Sequence, residues 1–150
     1  MANTSAICSS FKQELLQGKH NFSSSGGDTF KIALYDSAAT LGASTTGYSS
    51  AEEITNTSGT AYTATGAELT RTGVGLTGTT AFTDFGDVTY SSASFTANAA
   101  LIYNTTTGTG TGTTNAVCAI AFGGDKTASN GTFKIEFPAN DATAAIIRLA

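Results

Sequence analysis

The hydrophobic pattern changes period once along the chain. Near the start, Ile7, Phe11 and Leu15 recur every four residues with Leu16 beside them, a stripe that predicts an amphipathic helix. Thr4 or Ser5 stands where such a helix is capped, and Gly18 where it stops. A helix of about 13 residues is marginal alone in water. Residues 1–18 therefore either pack on the rest of the chain or form an arm that docks on a partner. In the second case Ile7, Phe11 and Leu15 are the contact residues.

Beyond Gly18 the period is two. In residues 28–35 (DTFKIALY), Phe30, Ile32 and Leu34 alternate with Lys31, Ala33 and Tyr35, as in a half-buried strand. Residues 68–77 (ELTRTGVGLT) alternate imperfectly around Gly73 and Gly75, which suggests a bulge or close backbone approach. Residues 82–91 read as a strand, or a strand pair broken at Gly86. Residues 98–103 (NAALIY) and 116–122 (AVCAIAF) are apolar on both faces, like central strands. Residues 131–138 (GTFKIEFP) alternate cleanly, and 143–150 (TAAIIRLA) fit a last strand or a short terminal helix, with Ile147 and Leu149 opposed to Arg148 favouring the strand. Roughly seven to nine short strands predict an all-β, antiparallel β-sandwich or jelly-roll-like domain over 28–150, with one short N-terminal helix. The Thr/Gly run at 105–114 (TTTGTGTGTT) reads as a mobile hairpin loop.

Composition narrows the chemistry. The 150 residues include 28 Thr and 15 Ser but only 12% charged residues, with a formal net charge of -4. Charge excess of the disordered kind is absent, and seven Lys and Arg among eleven carboxylates disfavour nucleic-acid binding by phosphate neutralisation. No apolar run reaches the ~18 residues of a membrane span, and the N-terminus lacks the basic start and long apolar centre of a secretory signal. A chain made in the cytoplasm with two reduced, mostly buried thiols, Cys8 and Cys118, is the expectation.

Candidate reactive groups are few. His20, the one histidine, has no accompanying nucleophile motif, so it reads as a turn residue hydrogen-bonded to backbone. Glu52 and Glu53 are adjacent and would face opposite sides of a strand. Asp84 and Asp87 flank Gly86 and read as turn residues or weak calcium ligands, without the spacing of a calcium loop and without the tryptophan platforms of a glycosidase cleft. The GGD at 26–28 and GGDK at 123–126 lack the rest of a phosphate-binding loop and read as hairpin turns. The expectation is a non-enzyme with no cofactor, no metal site, and neither a nucleic acid nor a membrane as partner.

The order of short segments along the whole chain resembles the small structural proteins of tailed-bacteriophage virions. These segments are 9–16 (SSFKQELL), 18–22 (GKHNF), 28–35 (DTFKIALY), 45–48 (TTGY), Glu53 with Ile54, 62–64 (YTA), 100–104 (ALIYN), Phe122 with Gly123, 131–138 and 146–149 (IIRL). Thr65–Gly66 stands where similar proteins often have Gly-Gly, and Tyr90 where they often have Trp. The resemblance implies a capsid decoration (cement) protein on the virion surface, assembled in the host cytoplasm, with the major capsid protein as partner. It also implies a homo-oligomer, a trimer at threefold positions being the simplest. A tail or head-tail adaptor component, or a host-carbohydrate-binding module, is the alternative role.

Overall fold

A computed structural model describes residues 2–54, 60–106 and 115–150. The period-two segments form strands: β1 (Ala6–Ile7), β2 (Phe30–Tyr35), β3 (Ala67–Glu68), β4 (Arg71–Thr77), β5 (Thr80–Phe85), β6 (Val88–Asn104), β7 (Asn115–Ile135) and β8 (Ile147–Leu149). One helix, α1 (Ser9–Leu16), lies near the N-terminus. A five-stranded sheet runs β1-β7-β6-β2-β3 and a three-stranded sheet β4-β5-β8. All pairings are antiparallel, so the chain is mostly β, as its alternation predicts. No helix among the described residues is long and apolar enough to cross a membrane.

The helix is shorter than the stripe predicts. Ile7 is not helical: it pairs with Cys118, and Ala6 with Ala119. Thr4 N–H donates to the Leu41 carbonyl, and the Ser5 hydroxyl accepts the Ala121 N–H. With residues 4–7 engaged in strand-like bonds, the cap falls on Cys8 instead of Thr4 or Ser5. Gly18, at φ +69°, does end the helix, in the left-handed conformation that glycine adopts without strain.

The segments 116–122 and 131–138, which read as separate strands, belong largely to one continuous β7, paired along its length with β6. A straight strand of 21 residues would reach about 70 Å, whereas a compact body of this chain length is roughly 40 Å across. The hairpin must bend, and bulges bend it. Between the pairs Ala97↔Lys126 and Ala99↔Ala121, β6 advances two residues and β7 five. Gly123 (φ +75°) and Gly124 (φ +135°) absorb the surplus. GGDK is thus a bulge inside a strand, not a hairpin turn. Ser92 and Asn130, also at positive φ, occupy two further register shifts of the same hairpin. The expected loop at 105–114 joins β6 to β7, whose ends pair as Asn104↔Asn115, and its residues 107–114 lie outside the described residues. The GGD at 26–28 sits in a turn before β2 and likewise makes no hairpin.

The two sheets share one core. Phe30 of β2 stacks on Phe22 at 4.6 Å and meets Phe85 of β5 at 5.5 Å between ring centroids. Phe11 of α1 packs edge-on against Phe22 at 5.9 Å. A second aromatic group, Tyr62, Tyr90, Phe95 and Phe133, lies under the bent half of the hairpin. Full burial of one such side chain contributes about 1.5–3 kcal/mol. The N-terminal segment is accordingly part of this core, not an arm held away from it.

Candidate functional site

His20, Glu53 and Asp84 each sit in a hydrogen-bond network. Gly18 turns the chain so that His20 tucks beneath Phe11, 4.9 Å between ring centres. There Nε2 lies 2.8 Å from Glu14 Oε2, and Nδ1 lies 3.1 Å from Asn104 Nδ2. The Asn104 amide orientation is fixed by two other bonds: Nδ2 donates to Asp28 Oδ2 at 2.7 Å, and Oδ1 accepts the Thr106 N–H at 2.9 Å. His20 Nδ1 is therefore the acceptor, and Nε2 carries the proton it gives to the buried Glu14 carboxylate. Its bonding partners are the Glu14 carboxylate and the Asn104 amide. The expected turn histidine bonded to backbone is instead a buried histidine bonded to side chains. Asn104 is 84 residues away along the chain, and no local spacing signals that partnership.

Asp84 and Asp87 do not act together. Asp84 is buried and accepts the N–H groups of Phe85 (2.8 Å) and Ile146 (3.1 Å), one on each oxygen. Burial raises its carboxyl above the ordinary range in spite of those bonds. Asp87 is exposed and accepts the Phe137 N–H at 2.9 Å and the Lys134 ammonium at 3.0 Å. The Phe137 bond and then Lys134 lower its carboxyl. The pair anchors two strand ends, the approach to β8 and the exit from β7. Among the described residues no group of three or more His, Cys, Asp or Glu is placed to hold a metal ion.

Glu52 sits in a turn at φ +62°, not on a strand, and Glu53 has unexpected company. It accepts the Tyr48 hydroxyl at 2.5 Å, the Tyr62 hydroxyl at 2.6 Å and the Thr65 N–H at 2.7 Å. Tyr62 in turn accepts the Leu34 N–H at 3.0 Å. Burial first, then these carboxylate bonds, hold the Tyr48 and Tyr62 phenols above their ordinary range. The cluster ties the connection between β2 and β3 to the sheet. All five tyrosines are buried or half-buried, which removes them from any exposed sugar-stacking platform. Both cysteines are free and buried. Burial pushes the Cys8 thiol up to about 11 and raises Cys118 as well.

Among the described residues, the predicted contact stripe is divided between two apolar openings. Ile7 lines an open groove of about 790 Å³, with Ile120 and Phe122 of β7, Phe133, Phe137 and Ile146. Exposed Lys126 and Lys134 border it. Leu15 lines a second opening of about 390 Å³, shared with Val74, Ala81 and Leu149 of the three-stranded sheet. Phe11, between them, is 1% exposed and has no surface left for a partner. The stripe is broken because Ile7 belongs to a strand and only Phe11 and Leu15 to the helix.

No family model, no curated protein and no solved structure matches the chain.

Proposed function

We propose that this chain is a non-enzymatic structural protein of a tailed-phage virion, a capsid decoration (cement) protein that binds the assembled shell of major capsid proteins. The observation that carries the reading is the open groove beside Ile7: a large apolar concavity on a rigid, hydroxyl-rich β scaffold. Its lining is mostly aliphatic and aromatic, which fits an extended apolar segment of a partner protein. Its border is mixed in charge: Lys126, Lys134 and Glu136 line it, and Lys134 is already paired with Asp87 and Glu136, so the apolar lining rather than charge selects the partner segment. Few charges elsewhere keep the desolvation cost of packing against neighbours low.

Function then follows from mass action. A protein that binds the assembled shell and not its separated subunits stabilises the shell by linkage, increasingly as its free concentration exceeds Kd. The groove supplies the contact, and β7 forms much of its wall. Quantitative mass spectrometry of purified particles, counting this chain against the major shell protein, tests the proposal. Hundreds of copies in simple ratio to the shell subunit are expected. A handful would move the chain to the tail or head-tail vertex, and absence would overturn the virion reading.

A further inference from the structure

The three-stranded sheet β4-β5-β8 carries an apolar face that the groove reading does not use. Cross-strand pairing sets two rows on this face: Val74 beside Thr83 beside Ile147, and Leu76 beside Ala81 beside Leu149. The first row dips into the core at Thr83 and Ile147. The outer positions remain in solvent, with Val74 63%, Leu76 71% and Leu149 56% exposed. The opposite face carries Phe82 and Arg148, which pair with each other, and Phe82 lies over Gly75. Alternation thus directs the charge of Arg148 away from the apolar rows.

We propose that this face is the interface between two copies of the chain, related by a two-fold axis. Three observations favour a second copy as the occupant. The rows contain no ionisable residue, so identical faces meet without like-charge repulsion in a chain of net charge -4. Leu76 and Leu149 flank the smaller Ala81, giving a knob, notch and knob that complement their own rotated image. The exposed aliphatics, with Leu15 at the margin, offer on the order of 400 Å² of apolar surface per copy, about half of a standard partner's ~800 Å².

The edge strand is consistent with this assignment. β4 is one of the two outer strands of its sheet, and its 74–77 stretch (VGLT) contains no lysine or proline of the kind that blocks edge-to-edge association. The inference stands apart from the virion reading, because it concerns the free protein and a different surface from the groove.

Sedimentation equilibrium of the full chain over a concentration series tests it. The expected result is a rise from 15.1 kDa to twice that mass, with association weakened about thirtyfold or more in Leu76→Asp. Leu149→Asp, in the same row on another strand, should act alike. Both positions face solvent in the monomer, so far-UV circular dichroism and the thermal midpoint at low concentration should match the wild type. Thr89→Asp, an exposed position on β6, is the control and should associate normally. A monomer at every concentration, a trimer, or a dimer that withstands both aspartates would overturn the proposal.

Discussion

Phe11 decides whether the N-terminal helix is core or appendage. Its ring is 1% exposed and packs on His20 and Phe22, whereas Leu16 on the same helix is 91% exposed. Phe11→Ala removes a buried ring from a site walled by Phe22 and the imidazole, a change that costs about 3–5 kcal/mol. Leu16→Ala removes solvated surface and should stay within about 0.5 kcal/mol of wild type. Domains of this size have a total stability of about 5–15 kcal/mol, so the first variant should fold but with a narrowed margin. With a urea slope of about 2 kcal/mol/M, its midpoint should fall by roughly 1.5–2.5 M. The thermal midpoint should fall by roughly 6–20 °C. Phe11→Asp, which buries a carboxylate among aromatic rings, should not fold at all. Urea titration followed by tyrosine fluorescence and by circular dichroism provides the assay. A Phe11→Ala midpoint indistinguishable from that of Leu16→Ala would refute the placement of the helix in the core.

Three further outcomes follow from individual contacts. Gly66 stands at φ +83°, where a Cβ would lie 2.0 Å from the Ile32 carbonyl oxygen. Gly66→Ala should therefore lower the thermal midpoint far more than Gly78→Ala, which has positive φ but open space; equal losses would sink the steric account. Carboxyl titration by NMR should place Asp84 above and Asp87 below the ordinary value of 3.8. The signs are opposite. Asp87 contributes stability above pH 3.8 that is lost as pH falls through its lowered folded value, while ionisation of Asp84 withdraws stability as pH rises from 3.8 toward its raised one. Matching titrations would refute this division of roles. Finally, Cys8 and Cys118 should resist a thiol reagent at pH 8 in the folded protein and both react in urea. Rapid native labelling, or a mass 2 Da short of the reduced chain, would contradict two buried free thiols.

Much of the β architecture was legible because it is local. The alternation in 28–35 predicted β2, and the break at Gly86 separates β5 from β6. Gly18 marked the helix stop for a reason confined to its own φ. These features depend on residues a few positions apart, which is the range over which a backbone conformation and its exposed face are encoded.

The rest depended on long-range register. Periodicity could not distinguish two strands from one bent strand, because Gly123–Gly124 reads as a turn until β6 is seen pairing on both sides of it. It extended the helix back to Ile7, since nothing local discloses that β7 captures residues 6 and 7. The candidate site was hidden for the same reason. His20 finds Asn104 across 84 residues, and Ile7 becomes a groove wall only once β7 curves past it. Sequence alone determined the strand-forming segments, the small stock of reactive groups and the hydroxyl-rich surface, all of which are properties of composition and near neighbours. Tertiary structure decided which apolar residues were consumed by the core and which were left outside, because burial depends on the partners that distant strands bring.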